Sequence, residues 1–262
     1  MTGFMDFYTP GSTFLHRMDP RVKILAVVLL SLLAFILSQL LYLLVLFAFI
    51  FLLLYLARVS FGKAVFALKF LFRFMALVVV LWPLFDPVGT PVLFELGILK
   101  VTLPAIERGV AAALRIGCLA TVWYILMFTT QQRDLVHALV RMGLRFDFGL
   151  ALAIALRFIP TFSYTIEAIK DAQRARGMEL EKGGLLRRSR NYVAVLLPAI
   201  VSAIRTADTL SLTLQSRAYG ARRDRTYLRE LRMRRSDFVA LSVAVALFVL
   251  PAVAKYILAV TI

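Results

Sequence analysis

The stretch Val22–Ala57, VKILAVVLLSLLAFILSQLLYLLVLFAFIFLLLYLA, decides the fold. Apart from Lys23 it carries no charge and runs almost unbroken through Leu, Val, Ile, Phe and Ala. Crossing a hydrocarbon core of roughly 30 Å takes about 20 helical residues. The stretch is too long for one crossing and suits two short ones, with Ser38-Gln39 at the turn. Such a segment needs a bilayer as its solvent.

Outward from it, Met1–Pro20 carries Gly3, Pro10, Gly11 and Pro20 and reads as irregular up to Asp19-Pro20, a cap followed by a first helical residue. No removable signal peptide is expected, because the N-terminus begins with polar and turn-forming residues and the first apolar run is far longer than a signal h-region. Arg58 and Lys63 bracket the next boundary. Ala64–Phe85 is a third span, with Lys69 and Arg73 on one face near its start, able to snorkel. Asp86–Arg108, with Pro87, Gly89, Pro91, Gly97 and Pro104, reads as a loop. Gly109–Thr130 is a fourth span and Phe238–Val260 the last. Between them, 131–237 is a long basic region with two apolar islands, Phe148–Ile169 and Tyr192–Ile204. No internal repeat is visible.

The composition agrees: 61% of the 262 residues are hydrophobic and 18% charged, yet the net charge is +16. In a soluble protein that balance would point to nucleic acid. In a membrane protein it points to cytoplasmic loops facing anionic lipid, and nucleic acid is not expected as a partner. Arg17, Arg21 and Lys23, then Arg58 and Lys63, then the basic region fall on one side if spans alternate. The expected topology is five spans, N-terminus cytoplasmic and C-terminus outside. Seven spans would put Arg174, Arg176, Lys182, Arg187, Arg188 and Arg190 outside, against the positive-inside rule. The first island also holds Arg157, Pro160 and Glu167; the second, between Asn191 and Arg205, reads as too short to cross. Its apolar positions Val193, Leu196, Leu197, Ile200, Val201 and Ile204 make one helical stripe, packing against the membrane face, spans or a partner.

Catalytic patterns are missing. Phe61-Gly62-Lys63 looks like a P-loop fragment, but Ala57 and Ala64 stand where Gly and Ser or Thr belong. The single Cys118 allows no disulfide or CxxC site, and His16 and His137 have no metal-ligand spacing. Two segments stand out instead: Asp171-Ala172-Gln173-Arg174-Ala175-Arg176-Gly177, followed by Gly183-Gly184, and Leu214-Gln215-Ser216-Arg217-Ala218-Tyr219-Gly220, followed by Arg222-Arg223. Each places an arginine among small residues just before a glycine that can end a helix. A cation in a last turn also simply suits the helix dipole. Unhindered, such an arginine can pair bidentately with a partner's carboxylate.

The chain resembles the T component, the EcfT-type transmembrane coupling subunit, of energy-coupling-factor (ECF) importers. The similar residues are Arg17-Met18-Asp19-Pro20-Arg21-Val22-Lys23, Arg157-Phe158-Ile159-Pro160 leading into the first coupling segment, Gln173–Gly177 with its Ala-Arg-Gly signature, Leu196-Leu197-Pro198 opening the second coupling helix, and Ser216–Gly220. Ala218 departs from the family's usual glycine after the second arginine. The resemblance implies a non-enzymatic subunit joining two cytoplasmic ABC-type ATPases to a membrane-embedded S component that captures a vitamin or metal ion. It implies ATPase contacts at Ala175, Arg176, Gly177, Ser216, Arg217 and Ala218, and S-component or membrane-face packing by the stripe. It implies no catalytic, metal or cofactor residues in this chain, with ATP-Mg in the partner subunits, and placement in a prokaryotic inner membrane.

The expected architecture is an all-α polytopic membrane protein: 1–21 an N-terminal cytoplasmic segment, 22–130 spans one to four, 131–237 a cytoplasmic coupling domain of amphipathic helices, 238–262 the last span. The alternative is a self-contained channel or secondary transporter, for which Lys69, Arg73 and Arg115 are the candidate ionisable residues within spans. An intramembrane enzyme would need paired catalytic groups at depth, and the sequence offers none.

Overall fold

The computed structural model describes residues 8–37, 39–59, 61–85, 92–96, 99–179, 184–221, 233 and 235–260. Ser38, Asp86, Pro87, Gly89, Pro91, Gly97, Lys182, Gly183 and Arg222 to Arg225 lie outside them. Apart from one hairpin, the regular elements among the described residues are helices, in the all-α polytopic architecture of a membrane protein. They form two compact units, Met1–Met142 with Leu231–Ile262, and Gly143–Glu230.

In the first unit a single turn, α1 (Phe14–Arg17), precedes α2 (Pro20–Ile36). Asp19 caps α2 by accepting from the Arg21 N–H at 2.9 Å, with Pro20 at the position where a missing N–H costs nothing. α3 (Leu40–Leu56) follows from Gln39, and α4 (Phe61–Phe85) runs on through Pro83. β1 (Val92–Leu96) and β2 (Leu99–Thr102) pair antiparallel, with Glu95 opposite Lys100. α5 (Leu103–Thr129) starts at once, so Asp86–Arg108 is not all loop as expected. Pro104 sits in the first turn, where it is tolerated, and the Thr102 hydroxyl accepts from the Ala105 N–H at 3.3 Å. α6 (Gln132–Arg141) and α9 (Arg235–Val260) complete this unit.

α5 is its axis. Leu30, Leu33, Leu43, Leu46, Ile50, Cys118, Val122 and Leu126 bury a core between α2, α3 and α5. On the side toward α4, α5 presents Gly109, Ala112, Ala113 and Gly117, all buried. A Cβ on Gly117 would come within 2.9 Å of Met75 Sδ and Phe47 Cε2, and one on Gly109 within 3.1 Å of Trp82 Cβ. Small residues let these backbones approach, which matters where lipid supplies no hydrophobic drive between helices.

Two polar devices hold the bundle. Arg115 donates from Nε to the Ala34 carbonyl at 3.0 Å and from Nη2 to Leu37 O at 3.1 Å, answering carbonyls left open where α2 ends. α2 therefore stops beside the middle of α5, whose twelve preceding residues extend roughly 18 Å beyond. At the other end of α2, buried Lys23 donates to Thr129 O at 3.0 Å and Thr130 Oγ1 at 3.2 Å, while buried Asp237 of α9 accepts from the Asp19 N–H at 3.3 Å.

The second unit is α7 (Phe146–Ala175) and α8 (Leu185–Ser216). Each runs through a proline, Pro160 and Pro198. Two expectations are corrected here. Leu196-Leu197-Pro198 does not open the second coupling helix, which begins after Gly184. Nor is that helix too short to cross, because it has 32 residues. Pro198 fits because Gln173 Nε2 of α7 donates at 3.3 Å to Ala194 O, the carbonyl that proline deprives of its donor. α4, α5, α7 and α8 are long and apolar enough to cross a membrane; Leu40–Leu56 and Ser236–Val249 are shorter apolar helices.

Candidate functional site

The two arginine segments fold into the same local structure. α7 ends with Arg176 as its C-cap and Gly177 in the left-handed region at φ +81°. The Gly177 N–H donates to Arg174 O at 2.9 Å and the Met178 N–H to Gln173 O at 3.0 Å. α8 ends with Arg217 as its C-cap and Ala218 at φ +57°. There the Ala218 N–H donates to Gln215 O and the Tyr219 N–H to Leu214 O, both at 2.9 Å. Both are Schellman caps in equivalent register, each answering two end carbonyls.

The departure at Ala218 therefore does not change the backbone. It places an L side chain in a conformation that costs about 1–2 kcal/mol relative to the right-handed one. A Cβ on Gly177 would meet nothing within 4 Å, so only the dihedral asks for glycine there.

Ala175, Arg176, Gly177, Ser216, Arg217 and Ala218 are all exposed. Arg174 is drawn to Asp171 at 3.0 Å, one turn back. Among the described residues, neither the Arg176 nor the Arg217 guanidinium has a hydrogen-bond or ion-pair partner. Two forks of five donors each thus stand at helix ends without a partner among the described residues. Tyr219 Oη donates to Asp147 Oδ1 at 2.9 Å, linking the end of α8 to the first turn of α7. Sequence reading named Tyr219 only as part of a signature and missed Asp147, because nothing local marks a contact across 72 positions.

Val193, Leu196, Leu197, Ile200, Val201 and Ile204 form the expected stripe and are 43–64% exposed, whereas Val195 on another face of α8 is buried. On the face of α8 opposite the stripe, Ser202, Thr206, Thr209 and Thr213 line an open groove with Arg205 of α8 and Phe158 of α7.

The profile of the cobalt transport protein family, CbiQ, matches residues 11–228. The chain is 33% identical over 250 residues to the energy-coupling factor transporter transmembrane protein EcfT of Brevibacillus brevis, covering 92% of this chain and 94% of that one. It is 32% identical over 257 residues to the EcfT of Acidaminococcus fermentans, covering 95% of each. The EcfT of Streptococcus equi is 30% identical over 248 residues, 92% of each chain. The chain belongs to the EcfT family.

As an EcfT-family protein it is an energy-coupling transmembrane subunit of an ECF transporter, a multi-pass membrane protein of a transport system. The residues considered for a channel have other surroundings. Arg115 is engaged in ending α2, and Lys69 and Arg73 are exposed on α4. Among the described residues no group of three His, Cys, Asp or Glu could hold a metal ion.

Proposed function

We propose that this EcfT-family chain joins two cytoplasmic ABC-type ATPases to a substrate-capturing S component, with Arg176 docking into one ATPase and Arg217 into the other. The observation that carries this is the pair of congruent caps, each holding an exposed arginine without a partner among the described residues. An unpaired guanidinium on a pre-set helix end loses little conformational entropy when it meets a carboxylate in a groove. The exposed stripe on α8 is the packing surface toward the S component or the membrane face. ATP-Mg belongs to the partner subunits, and the S component chooses the cargo, a vitamin or a metal ion such as the one in the CbiQ family's description.

The basic second unit lies on the cytoplasmic side, with the N-terminus cytoplasmic and the C-terminus outside. The arginine distribution supports this, since crossings by α7 and α8 would export Arg174, Arg176, Arg188 and Arg190. Five crossings by α2, α3, α4, α5 and α9 are consistent with it.

Arg176→Glu and Arg217→Glu test the docking. Each variant should insert as wild type and lose ATPase affinity by about 2 kcal/mol or more, as expected of a buried interface hot spot. Full ATPase retention by both charge reversals in a pull-down from detergent-solubilised membranes would refute the docking roles.

A further inference from the structure

Each arginine-tipped end is tied to the other helix by side-chain hydrogen bonds, and just past the α7 cap Asn191 Nδ2 of α8 also donates to the Glu179 carbonyl at 2.9 Å. At the end of α7, the Gln173 carbonyl accepts the cap bond from Met178, and its Nε2 reaches Ala194 O on α8 at 3.3 Å. At the end of α8, Tyr219 supplies the cap N–H to Leu214 O, and its hydroxyl reaches Asp147 Oδ1 on α7 at 2.9 Å. In both cases the residue that closes the cap also grips the neighbouring helix.

Each grip has a local reason. Pro198 leaves the Ala194 carbonyl without an intrahelical donor, so the amide of Gln173 finds an acceptor that an unbroken helix would not offer. Ala218 holds a left-handed conformation that glycine tolerates better, so the end of α8 gains from an anchor just beyond it. Asp147 can serve as that anchor because its other oxygen, Oδ2, is the one turned toward Arg145, at 4.0 Å.

We infer that Gln173 and the Tyr219–Asp147 pair are positioning residues that cross-brace the two arginine tips, so that a displacement of either tip is carried into the other helix. The inference rests on the reading of Arg176 and Arg217 as ATPase contacts. It adds that the two docking points do not move independently.

Hydrogen exchange on the purified full-length chain reads the tips directly, and ATPase affinity is measured on the same preparations. Gln173→Leu should speed exchange at Gly177 and Met178, and Tyr219→Phe at positions 218 and 219, each by about five-fold, the factor for one net hydrogen bond. Asp147→Asn keeps an acceptor oxygen and should protect the α8 tip as wild type does, whereas Asp147→Ala should not. Adding Ala218→Gly to Tyr219→Phe relieves the dihedral without replacing the tie to α7, so it should recover thermal stability but not tip protection. A tip restored by it would reduce Tyr219 to offsetting that dihedral and overturn its positioning role. Adding Pro198→Ala to Gln173→Leu gives Ala194 O a backbone donor, so it should recover thermal stability but not tip protection. A tip restored by Pro198→Ala would reduce Gln173 to satisfying one carbonyl and overturn its positioning role. Unchanged exchange at either tip overturns the bracing, and loosened tips with unchanged ATPase affinity overturn its link to docking. ATPase retention by the charge-reversed arginines would instead sink the docking reading, leaving the exchange results to decide the bracing.

Discussion

His16 shows how much a single residue outside the spans depends on its fold. Thr13 Oγ1 lies 2.7 Å from its Nδ1 and the Thr9 carbonyl 2.9 Å from its Nε2. A carbonyl only accepts, so Nε2 carries the proton and the neutral ring takes the Thr13 hydroxyl at Nδ1. Burial lowers its pKa below the ordinary 6.5, the Lys23 charge adds to that, and the Thr9 carbonyl opposes it in part. The unfolded chain therefore binds the proton first as pH falls. The stabilisation is complete above 6.5 and is lost as pH falls through the window beneath it. The melting temperature in detergent should drop between about pH 7 and about pH 5, and drop less in His16→Gln. Equal slopes would exclude His16 as the source. At this scale the sequence showed the Asp19-Pro20 start and the glycine at 177, because those residue types announce their backbone. It did not show Ala218 as a left-handed cap, since alanine rarely takes that conformation; only the repeated Arg-small spacing hinted at it.

At the scale of elements, the meeting of α2, α5 and α9 is the most consequential polar feature. Lys23 is 5% exposed and Asp237 1%, and Lys23 feels the carboxylates of Asp134, Asp237 and Asp19. Removing one member of such a cluster leaves buried charge uncompensated, a loss of about 3–5 kcal/mol. Lys23→Met should lower the melting temperature sharply, while Lys69→Met, exposed on α4, should leave it near wild type. Comparable small shifts in both would mean that the cluster is dispensable. The apolar helices were legible from their runs of Leu, Val and Phe. α7 and α8 were legible only as islands: charged and hydroxyl residues dilute their ends, and Leu196-Leu197-Pro198 read as a helix opening although Pro198 lies inside α8. The hairpin was hidden because its segment is crowded with prolines and glycines that equally suit a loop.

At the scale of the whole molecule, the side of the bilayer on which the second unit lies is open to direct measurement. Cys118 is buried, so an engineered thiol can be read against a quiet background. Arg190 is exposed on α8, and Arg190→Cys should resist a membrane-impermeant maleimide in intact cells and react once the membrane is opened. Labelling in intact cells would place this unit outside and remove the ATPase-docking role. The uncovered stripe from Val193 to Ile204 has a further consequence for biogenesis. A copy translated in excess of its companions displays six roughly half-exposed greasy side chains, the kind of surface that chaperones retain and proteases clear. Steady-state abundance of this chain should then follow the supply of its companions more than its own rate of synthesis.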